Sequence, residues 1–424
     1  MKISPISNMM LANIDSPEFF GDLTVPEPLV SDNDTSPATK LFVENATKAY
    51  SYYYRNCYNI QTIATVGAQD SKLIFDTSGN LYWAVNNQYN GTSNPLTSYL
   101  YKITPAGTLT TFASAVLNVS SGSDLKFDAS GNLYWAFTQQ ANVAANYNLT
   151  SYIYKITPAG TVTTFATAAT VGGTGTSLVF DTSGNLYWAV SNYRSTSGAT
   201  FNLTSYVYKI TPAGTLTTFA SAATNGTYQN SLAFDTSGNL YWAVANQQNG
   251  STFNLTSYVY KITPAGTLTT FASVATNGAN GTSLAFDVAG NLYWEVSNYY
   301  NGTTYNLTSY VYKITSAGSM TTFASQATNG ATGTSLVFDS AGNLYWAISN
   351  HYNGTSYSQT SYVYKITSAG SMTTFASQAT TGASGTSLAF DASGNLYWAQ
   401  SYAHNGTTYS INSYLHVMTK HSIL

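Results

Sequence analysis

Apolar and polar positions follow one pattern along most of the chain. In the copy from Ser231, "SLAFDTSGNLYWAVANQQNGSTFNLTSYVYKITPAGTLTTFASVATNGANG", four short stretches are rich in β-branched and aromatic residues: "SLAFD", "NLYWAV", "TSYVYKIT" and "GTLTTFA". Gly, Asn, Ser, Pro and Asp cluster between them. The first set of residues favours strands and the second favours turns, so each copy predicts four strands. "DTSGN" predicts a tight turn in which Gly238 takes the positive-φ position and Asp235 accepts backbone N–H bonds. "TPAG" predicts a second, with Pro264 pre-set for its φ and Gly266 closing it.

The Trp of the second stretch recurs at Trp83, Trp135, Trp188, Trp242, Trp294, Trp346 and Trp398, at intervals of 52 to 54 residues. Four-stranded units at a period of roughly 50 residues are the signature of a β-propeller. The expected fold is therefore all-β, a propeller of seven four-stranded blades. One Trp per blade removes ~150–250 Å² from water and supplies a repeated share of the packing.

The fourth-strand stretch follows only six of the copies, and the chain stops after "NSYLHVMTKHSIL". A seventh version stands before the first blade, in "YNIQTIATVG". Ile60–Val66 is therefore expected to complete the last blade, closing the ring and covering a sheet edge. The expected organisation is an N-terminal segment, 1–57, followed by the propeller, 58–424.

Seven residues separate the Asp of "FD" from the Trp in every copy, and 29 separate the Tyr of "SY" from the next such Asp. All length variation falls between Trp and Tyr, in the loop joining the second and third strands. The tight turns lie on one face and these loops on the other. Loops on a constant scaffold are free to carry recognition, and these combine aromatic, amide and hydroxyl groups with little charge. Stacking surfaces beside amide donors and acceptors suit neutral polar ligands, sugars above all. The candidate ligand-binding residues are Tyr89, Tyr193, Tyr299, Tyr300, His351, Tyr352, Tyr402 and His404, with Asn90, Asn301, Asn353 and Asn405 as polar partners. Solvated loops whose tyrosines merely cover blade edges are the plainer alternative.

Composition narrows the function. Charged residues make up 7% of the chain, and the net charge is −3. No polyanion-binding surface follows, so nucleic acid is an unexpected partner. One cysteine, Cys57, excludes an intrachain disulfide. The first residues carry no continuous apolar run, and no stretch approaches the ~18 apolar residues of a membrane helix. Outside the N-terminal region, seven acidic residues are the turn Asp, leaving Asp70, Asp124 and Glu295. No nucleophile triad, metal-ligand set or phosphate-cradling loop stands out. The expectation is a protein with no cofactor, no metal and no catalytic role. The six Lys of "YKIT" read as a structural strand pattern.

The "D-x-x-GN-hydrophobic-Tyr" and "K-I-x-P-x-G" motifs resemble NHL-type and related lyase and lactonase propeller repeats, over about 360 residues. That group spans binding modules, scaffolds and enzymes, so the likeness does not choose a function. Ser16–Ala46, "SPEFFGDLTVPEPLVSDNDTSPATKLFVENA", resembles a segment of bacteriophage tail-fibre proteins. The matching positions include Pro17, Phe19, Gly21, Leu23, Pro26, Thr39, Phe42 and Val43. The resemblance implies attachment to other virion proteins through residues 1–57, a homotrimer, and a place on a virion after synthesis in the host cytoplasm. Together these readings predict a phage fibre or spike whose propeller head recognises a host-surface glycan. The alternatives are a lactonase- or lyase-type propeller enzyme acting on a polysaccharide, and a purely structural decoration protein.

Overall fold

The computed structural model describes residues 58–66, 68–87, 96–117, 120–139, 148–193, 201–402 and 410–419. They form seven four-stranded antiparallel sheets. Blade one comprises Ala68–Phe75, Leu81–Asn87, Leu96–Ile103 and Leu109–Leu117, and blades two to six repeat this order. Innermost strands of successive blades lie side by side, and Ala68–Phe75 returns against Ala383–Phe390 to close the ring. The tail-fibre-like positions between Pro17 and Val43 lie outside the described residues.

Closure follows the expected route. The outer strand of blade seven is Tyr58–Val66, antiparallel to Ser410–Met418, with Ile60 opposite His416 and Val66 opposite Ser410. Both ends of the propeller thus meet in one sheet.

The repeated residues explain the repeated geometry. Asp235 accepts from the backbone N–H of Ser237 and Asn239 and from the Asn239 side chain, at 2.8–2.9 Å. Gly238 takes φ 78°. Burial alone would raise the matching Asp76 carboxyl, but the bonds from Asn80, Ser78 and Tyr82 outweigh it and hold the group below its usual range. The turn Asp is spent on the turn.

Every blade Trp is buried, and four of them donate from Nε1 to a hydroxyl of their own inner strand, as Trp188 does to Thr176 at 2.7 Å. Burying ~200 Å² of indole at about 25 cal/mol per Å² is on the order of 5 kcal/mol of transfer free energy for each. Near the tight turns, Tyr187 is wedged edge-on between Phe219 of its own blade and Phe234 of the next, at 4.9 and 5.2 Å. The "YKIT" lysine covers the ring, with Lys209 Nζ 5.5 Å from the Tyr187 centroid. Lys102, Lys155, Lys261, Lys313 and Lys365 repeat the contact.

A hydroxyl belt joins the blades around the axis. The Ser before the inner-strand Leu accepts the backbone N–H of the matching Leu in the next blade: Ser177 from Leu232, Ser231 from Leu284, Ser283 from Leu336, Ser335 from Leu388 and Ser387 from Leu73, at 3.1–3.3 Å. Blade one has Lys72 at this position, and an ammonium cannot accept. Blade two has Asp124, whose two oxygens serve both Leu125 N at 2.8 Å and Leu178 N at 2.7 Å. One carboxylate thus supplies the bond that Lys72 cannot.

Candidate functional site

The connections that vary in the sequence share a face with the links between blades, and their aromatic residues pack into a ladder across blades four to six. Phe253 meets Tyr300 edge-on at 5.0 Å, Tyr300 stacks on Tyr305 at 4.4 Å, Tyr305 meets Tyr352 at 5.0 Å, and Tyr352 lies 4.5 Å from Tyr357. Tyr299 and His351 form an inner row: Tyr299 packs on Tyr305 at 5.2 Å, and His351 on Tyr357 at 5.3 Å. His351 Nδ1 lies 3.1 Å from the Ala383 carbonyl oxygen, tying the row to blade seven. All of these rings are half-buried.

The links between blades make room for the ladder. Gly330 has φ 52°, and a Cβ there would meet the Tyr352 carbonyl oxygen at 2.5 Å. A side chain would therefore fail twice, on backbone conformation and on space.

The structure thus brings Tyr299, Tyr300, His351 and Tyr352 together. Tyr193 packs on Phe201 at 5.6 Å and Tyr228 at 5.9 Å, two blades earlier. Tyr402 is buried in blade seven, its hydroxyl 3.4 Å from Gln400 Oε1. Asn301 Oδ1 accepts from Thr303 N, Thr303 Oγ1 and Thr304 N at 2.9 Å, and Asn353 does the same for its own loop. These two amides hold Asx turns through their oxygens. Tyr89, Asn90, His404 and Asn405 lie outside the described residues.

A second region, unmarked by the loop pattern, lies on the axis. A polar cavity of about 210 Å³ is walled by the serine belt together with Asp70, Lys72, Asp124, Lys126, Gln229 and Asn230. Gln229 reaches across it, its Nε2 3.4 Å from the Thr332 carbonyl oxygen two blades away. Asp70 is buried and accepts from Ser71 N at 2.8 Å and Ser123 N at 2.6 Å. Burial pushes its carboxyl up, while Lys72 and the bonds from Ser123 and Ser71 pull the other way. Asp124 Oδ1 also lies 3.8 Å from Lys126 Nζ. Aligning the copies on their inner strands would have flagged this region, since Lys72 and Asp124 stand where the other blades have Ser. No group of three or more His, Cys, Asp or Glu residues that could hold a metal occurs among the described residues.

Glu295, the remaining odd acid, is fully buried rather than part of that cavity. It stands where six blades have Ala, and Ser297 Oγ donates to its Oε1 at 2.5 Å. Burial pushes its carboxyl up to about 8, against the pull of the Ser297 hydroxyl and of the nearby Thr334 and Trp346 side chains. The last two belong to blade six, so Glu295 sits in the seam between blades five and six.

No family model and no curated protein matches the sequence. Solved structures match by fold. A catalytically inactive virginiamycin B lyase from Staphylococcus aureus, solved with quinupristin, gives a TM-score of 0.51 at 13% identity, over 86% of this chain and 100% of that one. A fungal alcohol oxidase in complex with copper gives 0.55 at 12% identity, over 85% of this chain and 76% of that one. At such identities the likeness is one of fold. It nevertheless corrects the expectation of a protein with no catalytic role, which was drawn from the missing triads and ligand sets. Propellers of this shape house a lyase and a copper oxidase, and a short sequence motif does not show what a ring assembles from separate blades. The tail-fibre resemblance of Ser16–Ala46 gains no support from these comparisons.

Proposed function

We propose that the propeller binds and acts on a neutral, hydroxyl-rich polymer, a polysaccharide, across its loop face. One observation carries the reading: the half-buried ladder from Phe253 through Tyr300, Tyr305 and Tyr352 to Tyr357, built on loops that vary over a constant scaffold. A sugar ring has an apolar C–H face and a hydroxyl rim. Aromatic faces flanked by Asn, Thr and Ser match both. The axial cavity supplies the charged groups a reaction would draw on, Lys72 and Lys126 beside Asp70 and Asp124. Enzymes among the fold neighbours favour catalysis over binding alone.

A second reading, a virion fibre recognising a host glycan on the same face, draws its support from the resemblance of Ser16–Ala46 to phage tail-fibre segments. Both readings name one ligand class, and one experiment separates them. The full chain is incubated with a panel of polysaccharides while polymer length and new chain ends are followed, and a glycan array is probed in parallel. Shortened polymer supports the enzyme. Capture without shortening supports the fibre. Neither capture nor shortening on any polysaccharide sinks both.

A further inference from the structure

The strands that vary least still depart from their repeat at a few positions, and two departures converge on one cleft. Where the third strand of blades two to five has Leu149, Leu203, Leu255 and Leu307, blade six has Gln359. Where the fourth strand of the first four blades has Ala115, Ala168, Ala222 and Val274, blades five and six have Gln326 and Gln378. Gln326 and Gln359 line a cleft of about 550 Å³ between blades five and six, together with Asn329, Thr360, Tyr362 and Thr381. That volume lies within the range of small-molecule sites, roughly 300–1,000 Å³.

We infer that this cleft binds one neutral pyranose residue of the ligand, with Gln326 and Gln359 as its amide contacts. An aliphatic residue at the Gln359 position would be the cheaper choice for a partly buried strand end, as blades two to five show, whereas the Gln326 position carries an amide again in blade six. Gln359 is instead nearly buried and held in place: its Oε1 accepts from Asn329 Nδ2 at 2.9 Å, and its Nε2 donates to the Ser356 carbonyl at 2.8 Å. A primary amide has two N–H donors and two acceptor lone pairs, so one of each remains beyond those two bonds. Gln326 spends one donor on the Ala327 carbonyl at 3.4 Å. Tyr362, stacked on Tyr364 at 5.5 Å, provides an aromatic wall. The Lys and acidic groups of the axis are absent from the lining, so the chemistry is amide, hydroxyl and ring. That selects a neutral sugar over a phosphate or a uronate.

The inference rests on the reading that the propeller takes a hydroxyl-rich ligand, and its test separates the two. Crystals of the full chain are soaked in glucose, galactose and N-acetylglucosamine. In solution, affinity for the same sugars is measured for the wild type and for the double variant Gln326→Ala, Gln359→Leu. The double variant installs residues that sister blades already use, so its melting temperature serves as a folding control. The expected result is a sugar in the cleft and a loss of about tenfold or more in affinity, the equivalent of one or two hydrogen bonds. A sugar on the Tyr300–Tyr352 ladder with none in the cleft overturns the cleft alone. Equal affinities in a folded double variant also overturn it. No sugar at either place overturns the cleft and the ligand class together.

Discussion

His416 Nε2 lies 3.2 Å from Gln400 Oε1, and the two replace a pairing that every other blade makes from a tyrosine and an apolar side chain. The matching residues are Tyr208 with Val190, or Tyr312 with Val296. The exchange occurs in the blade closed by Tyr58–Val66, and His416 is itself opposite Ile60 across the closing strand pair. Both side chains are buried, so a neutral His416 donating from Nε2 is the arrangement that leaves least charge out of water.

Burial lowers the His416 imidazole from 6.5 to about 4. Because the folded value is depressed, the unfolded chain takes up the proton first as pH falls. Stability is unaffected above pH ~6.5 and is lost progressively between about 6.5 and 4, at up to ~1.4 kcal/mol per unit, on the order of 3 kcal/mol in all. Melting temperatures of the wild type should therefore fall across that window. The variant His416→Tyr with Gln400→Val, which restores the residues of the other blades, should show a flatter acid limb. Parallel curves would remove His416 from the account.

Glu295 predicts the opposite limb. Its folded value, about 8, lies above the ordinary 4.5. The folded chain then holds a proton that the unfolded chain has released, so stability is fully present below pH ~4.5 and is lost as pH rises toward 8, by at most ~5 kcal/mol. Glu295→Gln keeps the shape and cannot ionise. The wild type should lose more stability than Glu295→Gln between pH 6 and 8.5 in denaturant melts, and equal losses would place the carboxyl in water.

Much of this architecture was legible from residues alone. The Trp spacing and the missing seventh fourth strand give the blade number and the closing strand, because a propeller repeats its contacts at each blade. Side-chain roles were legible only where they stay within one unit, as with Asp235 and its turn. Asn301 and Asn353 show the limit: an amide in a loop reads as a ligand partner, while only geometry shows its oxygen committed to an Asx turn. Lys72 and Asp124 show another, since their relation crosses blades and involves a backbone N–H that no sequence pattern marks.

Removing the closing strand should cost more than its own contacts. A chain lacking residues 1–66 would leave Ser410–Met418 as an unpaired edge, an invitation to pair with another copy. Such a truncation should melt lower than the full chain and self-associate, as read by light scattering. A synthetic Tyr58–Val66 peptide should reverse both effects. A truncated chain with unchanged melting and mass would show that the ring does not depend on its latch.

The Lys72–Asp124 arrangement can be tested as a cycle. Asp124→Ser alone supplies one hydroxyl, enough for Leu178 N as in the other blades, and leaves the buried Leu125 N–H without the acceptor that Lys72 cannot provide. An orphaned buried N–H costs about 1–3 kcal/mol. Lys72→Ser alone adds a second candidate acceptor for a bond Asp124 already makes, so its cost is that of removing the ammonium that favours the buried Asp70 carboxylate, which both arms of the cycle share. The double variant rebuilds the serine belt around all seven blades, so it should recover most of what Asp124→Ser loses, giving a coupling energy of about 1–3 kcal/mol in urea melts. A coupling near zero would mean that the two positions act independently and that the carboxylate is not standing in for the absent hydroxyl.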